Sequence, residues 1–293
     1  MQELVFQVAN LGISVTSDRI IQNDTFNTTL AGFLCHSVEM ETVKIEHHFD
    51  LPEDFNLPED CCVYANTPLR IYNFGNSIIY EEGYSLEDNS YVRRLIAIWS
   101  DDYMTGDIYH ADPLRWDQGN IGQLSCMPTD QVFLAELLAN RQGCILHAGG
   151  VELDGKGFLF IGHKTAGKST TIQMLLDHAT VLCDDRVACR MMPDGPRIYG
   201  TWCNRGTIPI MSPASAPLRA LCFIEQADTN EAIPITDPQE ILRRLLPRIV
   251  KPLADAAWWE KTLAIVDDLI RTVPAYVLRR DLSGKVVDVL RNL

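Results

Sequence analysis

Eight residues near the middle of the chain have the types and spacing of a phosphate-binding loop. Gly162 is followed by four residues and then by Gly167, Lys168 and Ser169, which matches the P-loop pattern at every fixed position. The glycines permit backbone angles that turn successive N–H groups towards phosphate oxygens, while the lysine supplies a positive charge and the serine hydroxyl can bind magnesium. The pattern therefore predicts binding of the phosphates of a nucleotide together with Mg²⁺.

A pattern this short also occurs by chance, so the segments on either side of it matter. An apolar run at residues 158–161 leads into it, and Ile172, Leu175 and Leu176 follow at helical spacing. A strand before the loop and a helix after it are the required context, and the helix N-terminus adds its partial positive charge. We expect these residues to bind the nucleotide: Gly162, His163, Lys164, Thr165, Ala166, Gly167, Lys168, Ser169 and Thr170.

Two further features have types suited to catalysis. Asp184 and Asp185 follow an apolar run, with Asp184 fifteen residues after the loop serine. A strand-end carboxylate after such a loop can hold magnesium, and its neighbour can accept a proton from an attacking hydroxyl. His147 stands fifteen residues before the first loop glycine, on the strand that opens the hairpin described next. Taken alone, this histidine is equally suited to a hydrogen-bonded position in the core.

The elements that must position these residues follow an α/β order. Two apolar strands joined by Asp154-Gly155, a strong two-residue hairpin signal, lead into the loop. Residues 180–183 form a further apolar strand before the aspartates. Upstream, Thr129 can cap a helix with an apolar stripe of Phe133, Leu134, Leu137 and Leu138. Helix, strand, strand, loop, helix, strand is the order of an α/β nucleotide-binding domain.

The C-terminal part continues with a strand at residues 218–225 and a helix capped by Asp237-Pro238. The last segment predicts a β-hairpin that turns at Ser283-Gly284. Between them, a second helix is expected to bury one face, formed by Trp259, Leu263, Val266 and Ile270.

The first 125 residues differ from the rest in charge and in pattern. Residues 1–125 contain 20 acidic and 6 basic residues, whereas residues 126–293 contain 19 of each. Runs of β-branched and aromatic residues between turn signals indicate strands. We therefore predict an α/β chain, α+β overall, with a β-rich acidic domain at 1–125 and a P-loop domain at 126–293.

The acidic half argues against a nucleic acid partner, because affinity for phosphates comes mainly from lysine and arginine. It would complement a basic peptide, although an acidic surface that only keeps the protein in solution is the simpler interpretation. No stretch approaches the roughly 18 apolar residues that a membrane helix needs, so we expect a cytoplasmic protein without a membrane partner. The nine cysteines lack paired metal-site spacing and are expected to be reduced.

The stretch LHAGGVELDGKGFLFIGHKTAGKST…VLCDDRVACR resembles the catalytic core of the HPr kinase/phosphorylase family, whose loop is similar to that of ATP-type phosphoenolpyruvate carboxykinases. The resemblance covers roughly residues 144–190 and rests on the histidine, the loop and the aspartate pair in the same order and spacing. It implies a Mg-ATP-dependent serine kinase that phosphorylates a hydroxyl on a peptide, a protein or a small molecule. The C-terminal tail resembles HPr-kinase-related proteins of peptide-modification clusters, including lasso-peptide kinases.

The resemblance also implies roles for single residues. Lys168 would bind the β- and γ-phosphates, and Ser169 with one of the aspartates would bind magnesium. Asp184 would be the general base, tuned by His147, or His147 would bind a second metal. The family has a Glu-Ile-Arg-Gly type signature downstream, of which the Arg205-Gly206 pair survives and would stabilise transition-state charge.

Cys203 stands where that signature has a metal-binding glutamate. The departure keeps a second function open, namely a nucleotide-binding regulator or ATPase switch without an acceptor site. A carboxykinase proper fits poorly, because that family has a much longer chain. HPr kinases are hexamers, so a homo-oligomer is compatible with the resemblance.

Overall fold

The computed structural model describes residues 2–35, 40–53, 55–87, 91–125, 130–253 and 256–293. The strands are β1 (Leu4–Val8), β2 (Leu11–Ser17), β3 (Thr42–His48), β4 (Cys62–Asn66), β5 (Leu69–Phe74), β6 (Ser77–Ser85), β7 (Tyr91–Ser100), β8 (Thr105–His110), β9 (Gly143–Leu146), β10 (Ala148–Leu153), β11 (Lys156–Ile161), β12 (Thr180–Cys183), β13 (Val187–Met192), β14 (Gly195–Tyr199), β15 (Ser215–Gln226), β16 (Glu231–Ile235) and β17 (Ala275–Arg280). The helices are α1 (Thr28–Ala31), α2 (Leu114–Gln118), α3 (Asp130–Ala139), α4 (Lys168–Leu175), α5 (Pro238–Leu245), α6 (Ala256–Thr272) and α7 (Val286–Arg291). The predicted mixture of helices and strands is confirmed.

The chain divides into two compact units. One comprises Met1–Leu137 with Pro252–Asp255, and the other comprises Leu138–Lys251 with Ala256–Leu293. The predicted domain boundary between residues 125 and 126 borders residues 126–129, which lie outside the described ranges, and it stays a prediction. The proposed cap at Thr129 lies outside them as well, but helix α3 follows directly and buries all four residues of the predicted stripe.

The first unit is built on an eight-stranded sheet with the strand order β1-β2-β3-β8-β7-β6-β5-β4. Strand β3 pairs in parallel with β2 and β8, and the other neighbours are antiparallel. The alternation of buried and exposed residues in β3 shows why its β-branched positions form a half-buried strand. This sheet agrees with the predicted β-rich character of the N-terminal half.

The second unit contains a nine-stranded sheet in which β11, β15 and β17 lie side by side in parallel. Strands β10 and β11 form the predicted hairpin, and both of its turn residues, Asp154 and Gly155, have positive φ. Two consecutive positive φ angles are what a two-residue turn of type I′ requires. Strand β11 of this hairpin leads directly into residues 162–169, the predicted phosphate-binding loop, called the phosphate loop below.

Both faces of β11 are buried, so it is apolar from residue 157 to residue 161. Successive residues of β11 belong to different cores, with Leu159 and Ile161 on the face of α5 and α6. Phe158 and Phe160 belong to the opposite core with residues of α4 and α7. This alternation with a period of two places α4, and with it the phosphate loop, against one face of the sheet.

One prediction about the C-terminal part was wrong, and a second holds only in part. No hairpin turns at Ser283-Gly284, because residues 286–291 form helix α7 and bury Val286, Val287 and Leu290. Helix α6 buries most of the predicted face: Val266 is buried, and Trp259 and Ile270 are partly buried against the core. Its buried residues are Trp258, Thr262, Ile265, Val266 and Leu269, whereas Leu263 is 43% exposed.

The expectation of reduced cysteines agrees with the structure where it can be compared. Eight cysteines lie in the described residues, and all are free thiols, four of them buried. Among the same residues, no helix is long and apolar enough to cross a membrane.

Candidate phosphate-binding and catalytic site

The phosphate loop lies between β11 and α4, as the sequence predicts. Gly167 adopts the left-handed conformation, with φ 98° and ψ 25°, and is the N-cap of α4. A Cβ atom on Gly167 would overlap the guanidinium of Arg280, so both the backbone angle and the close packing require glycine here. His163, Lys164, Thr165 and Thr170 are exposed, Gly162, Gly167 and Ser169 are half-buried, and Ala166 is buried.

The ammonium group of Lys168 lies over the start of this loop. Its Nζ donates hydrogen bonds to the carbonyl oxygens of Gly162 and His163, at 3.1 and 3.2 Å. Burial lowers the pKa of Lys168, Asp185 opposes this shift, and the charge of Arg248 adds to it. A buried cation that is bonded only to neutral carbonyl oxygens would gain energy from an anion at the same place.

Asp184 is held by three donors on one oxygen. Its Oδ2 accepts from Ser169 Oγ at 2.8 Å and from the backbone N–H groups of Thr207 and Ile208 at 3.0 and 3.1 Å. The residue is 1% exposed, and its other oxygen, Oδ1, has no hydrogen-bond partner among the described residues. A buried carboxylate oxygen without a partner is costly, so a water molecule or a cation is expected beside it.

The segment that follows β14 carries these backbone donors. Gly206 packs directly against Asp184, and a Cβ atom on it would overlap the carboxylate. Asn204 Oδ1 accepts from the Gly206 N–H at 2.8 Å and fixes the turn. Arg205, predicted to stabilise transition-state charge, is exposed, and its side chain bonds to no other described residue.

Asp185 forms a second, separate cluster. Its Oδ1 is 2.8 Å from His147 Nε2, and its Oδ2 is 2.5 Å from a terminal nitrogen of Arg186. Burial raises the pKa of Asp185, but the hydrogen bond from His147 and the charge of Arg186 outweigh it, and the pKa lies below its usual value. Asp185 therefore remains a carboxylate that orients His147.

His147 does not lie on the hairpin strand, contrary to the prediction. It occupies the bend between β9 and β10, and its backbone N–H donates to the carbonyl of Arg248 at 2.6 Å. The two strands pair with different neighbours, since β9 joins β13 and β10 joins β11. Because the chain turns between them, the histidine leaves the core, and its side chain is 33% exposed beside Asp185.

Two arginines that the sequence did not single out belong to this site. Arg280, the last residue of β17, is 3% exposed and donates to Gly167 O and Thr171 Oγ1, both at 3.2 Å. Arg248 is half-buried, its charge acts on Lys168, and its guanidinium bonds to no other described residue. Both are far from the loop in sequence, and neither stands in a recognisable motif.

The sequence of the chain matches one known protein family. Residues 124–292 match the family described as SynChlorMet cassette protein ScmC. The chain belongs to the ScmC family. The matched region contains every residue of the candidate site, and the family description names no activity. No curated protein matches the chain in sequence.

One solved structure with similarity to this ScmC family member is the Hpr(Ser) kinase/phosphatase from Coxiella burnetii. The two share 12% sequence identity with a TM-score of 0.31, over 50% of this chain and 88% of the Coxiella chain. A similarity at this level establishes neither a common fold nor a common activity. The family resemblance inferred from the motifs therefore stays a prediction.

Proposed function

We propose that this ScmC family member is a Mg-ATP-dependent kinase that transfers the γ-phosphate to a hydroxyl group of a peptide, a protein or a small molecule. The observation that carries the proposal is the position of Asp184. A buried carboxylate oxygen without a partner lies on the residue that binds Ser169 of the phosphate loop. The sequence pattern alone gives the loop, but this contact joins the loop to the aspartate pair.

The residues around Asp184 fit a magnesium ion. Mg²⁺ prefers oxygen ligands and is usually bound by one or two carboxylates together with substrate phosphates. Ser169 Oγ and the free Oδ1 of Asp184 are such oxygens, and the Thr207 and Ile208 N–H groups fix the carboxylate that would hold the ion. Asp185 was also predicted as a ligand, but both of its oxygens already bond to His147 and Arg186.

The loop residues would hold the nucleotide. When bound, Mg-ATP supplies the phosphoryl group. The N–H groups of the loop and of the first turn of α4 would bind phosphate oxygens, and Lys168 would exchange its carbonyl partners for them. Arg280 bonds to Gly167 O and so keeps that carbonyl turned towards β17. The Arg248 guanidinium bonds to no other described residue and its charge acts on Lys168, so it is suited to the charge of the terminal phosphate.

We assign proton transfer to His147 with Asp185. The sequence assigned this role to Asp184, with His147 tuning it, but the structure pairs His147 with Asp185. An accessible imidazole oriented by a carboxylate is suited to accept the proton of an acceptor hydroxyl. Asp184 already accepts three hydrogen bonds through one oxygen, and the proposed magnesium ion would take the other, which leaves no oxygen for the proton of the acceptor.

A second function remains in competition, that of a nucleotide-binding regulator or ATPase switch. The observations in its favour are Cys203, in place of the glutamate of the related signature, and the exposed Arg205. The pairing of His147 with Asp185 favours the kinase, since a switch needs no base directed at an acceptor.

Incubation with ATP labelled in the γ-position separates the two functions. The acceptors would be a mixture of serine-containing peptides, proteins and small hydroxyl compounds, with the Asp184→Asn variant as the control. A kinase yields labelled acceptor with the native protein and none above background with the variant. Release of labelled inorganic phosphate without any labelled acceptor would favour the switch, and absence of ATP binding would refute both.

A further inference from the structure

The first unit contains a cavity that the kinase proposal does not use. Its volume is about 420 Å³, within the range of small-molecule sites, roughly 300 to 1,000 Å³. One side is formed by strands β4 to β7 and the other by the segment before β4, which contributes Phe55 and Leu57. Polar groups on the sheet side include Arg70, Tyr72, Glu81 and Arg93.

The two arginines are unusual in their surroundings. Residues 1–125 contain only 6 basic residues against 20 acidic ones, yet two of the six line this single cavity. Arg70 is the direct cross-strand partner of Glu81, and its guanidinium lies 4.4 Å from the centre of the Tyr91 ring. It forms no ion pair with any described residue.

Both oxygens of the buried carboxylate in the cavity wall already accept hydrogen bonds. Glu81 is 1% exposed, its Oε1 accepts from Arg93 Nε at 2.6 Å, and its Oε2 accepts from the Tyr72 hydroxyl at 2.9 Å. The terminal nitrogens of Arg93 form no further bond within the described part of the chain. Glu59, the other acidic residue of the lining, is exposed.

Donors therefore exceed acceptors in this cavity. A guanidinium carries five N–H donors in a planar fork that matches a carboxylate. The one buried acid satisfies only the Nε of Arg93. Arg70 has one hydrogen bond to the Tyr72 hydroxyl oxygen, and the ring of Tyr91 covers a face of Arg70 without accepting its N–H groups in the plane. An anion with two oxygens would supply the missing acceptors.

The opposite wall specifies what the anion is attached to. Phe55 and Leu57 are part of the apolar cluster around Tyr72, Ile79 and Ile96. The Phe55 ring also lies 5.4 Å from the Arg93 guanidinium. An apolar side chain of the ligand would replace water against these groups, at about 25 cal/mol per Å² of buried area.

We propose that this cavity binds a carboxylate carried on an apolar residue, the chemistry found at the C-terminal end of a peptide and in a free N-acylated amino acid. The Arg70 guanidinium, with the terminal nitrogens of Arg93, binds the carboxylate, and Phe55 with Leu57 contacts the side chain. The cavity contains no residue of the phosphate loop. A test of this binding site therefore does not depend on the kinase activity.

The probe is N-acetyl-phenylalanine, and its matched control is N-acetyl-phenylalanine amide, which lacks the negative charge. Titration of the full chain, followed by calorimetry or by chemical-shift changes, should show binding of the acid and at least about tenfold weaker binding of the amide. Equal binding of both, or of neither, overturns the proposal. A tripeptide ending in phenylalanine distinguishes the two sources, since a peptide site binds it as well as the single residue and a closed small-molecule site does not.

Two variants on neighbouring strands test the assignment of the residues. Arg70→Met removes the cation without breaking an ion pair and should weaken binding of the acid at least about tenfold, while Arg70→Lys restores part of it. Arg94→Met is the control, because Arg94 follows Arg93 on β7, its side chain is 58% exposed, and it lies outside this cavity. Retained affinity in Arg70→Met, or an equal loss in Arg94→Met, contradicts the site.

Discussion

Two adjacent aspartates have different environments, and this difference separates their chemistry. Asp184 is bonded through Oδ2 to Ser169 and to two backbone N–H groups. Asp185 is bonded to His147 and Arg186. Strand β12 ends at Cys183, and the two side chains that follow it contact different partners. Single substitutions can therefore test separately the proposed role of Asp184 as a metal ligand and that of His147 as the base.

Asp184→Asn and His147→Asn should therefore have different kinetic signatures. Asp184→Asn would remove the charge of the proposed magnesium ligand, so the Mg²⁺ concentration for half-maximal rate should rise at least about tenfold and the rate should fall. Loss of His147 should lower the transfer rate about 100-fold or more while the magnesium requirement stays unchanged. Initial rates over a magnesium titration measure both quantities. If His147→Asn shifts the magnesium requirement instead, the histidine is a metal ligand.

Lys168→Met should abolish phosphoryl transfer, with a loss of about 100-fold or more, because a point charge at the phosphates disappears. The fold should survive, since the methionine side chain fills the space of the lysine stem and the two lost hydrogen bonds go to carbonyl oxygens, not to a buried carboxylate. Lys261→Met is the control, since Lys261 is exposed on α6 and lies outside the predicted nucleotide-binding residues. Unfolding of Lys168→Met in a circular dichroism melt, or full activity, would contradict this account.

Among the elements, the phosphate loop depends on one backbone conformation. Gly167→Ala should cost about 1–2 kcal/mol for the left-handed angle and more for the overlap with Arg280. Gly155→Ala in the β10–β11 turn has the same kind of angle, φ 80°, but open space around it. We expect both variants to lower the thermal midpoint, and only Gly167→Ala to abolish ATP binding in a fluorescence titration. Normal ATP binding by Gly167→Ala would show that the loop tolerates a side chain.

The helices and strands also show which parts of the fold can be predicted from the sequence. The β10–β11 hairpin was predictable because Asp154-Gly155 is a local signal that determines its own turn. Ser283-Gly284 gives a similar signal, yet helix α7 follows it, because Val286, Val287 and Leu290 bury together against the core that includes α4. Tertiary packing therefore determines that these residues form a helix, and local sequence propensity does not predict this outcome.

The site shows the same limit. The loop and the aspartates are contiguous motifs, so the sequence identified them. Arg280 meets Gly167 across 113 residues, and only the parallel pairing of β17 with β15 brings it there. Arg248 reaches Lys168 because the bend at His147 bonds to its carbonyl. Contacts of this kind depend on the order and pairing of the strands. They produce no recognisable spacing of residues in the sequence.

For the molecule as a whole, a buried histidine pair in the first unit should make stability depend on pH. His47 Nδ1 lies 2.9 Å from His110 Nε2, and His47 Nε2 lies 3.0 Å from the Leu124 carbonyl. Burial and the neighbouring His110 lower the pKa of His47 well below its usual value. Burial, together with Arg115, lowers the pKa of His110 to about 4.

The folded chain thus takes up these protons later than the unfolded chain, whose histidines titrate near pH 6.5. Stability should be complete above about pH 6.5 and decrease as the pH falls towards 4, by on the order of 3 kcal/mol for His110. Urea unfolding at several pH values measures this loss. His110→Gln should reduce it, and His178→Gln, at an exposed site, should leave it unchanged. An unchanged profile in His110→Gln would assign the acid sensitivity to other groups.

Strand β15 is flanked by β11, which leads into the phosphate loop, and by β17, which carries Arg280. Its amide hydrogens at residues 221–223 are therefore enclosed by a strand on each side and an apolar core on each face. In deuterated solvent these amides should be the last of the second unit to gain mass. Nucleotide added beforehand should slow the exchange of both flanking strands together, so that labelling reports occupancy of the loop without any turnover.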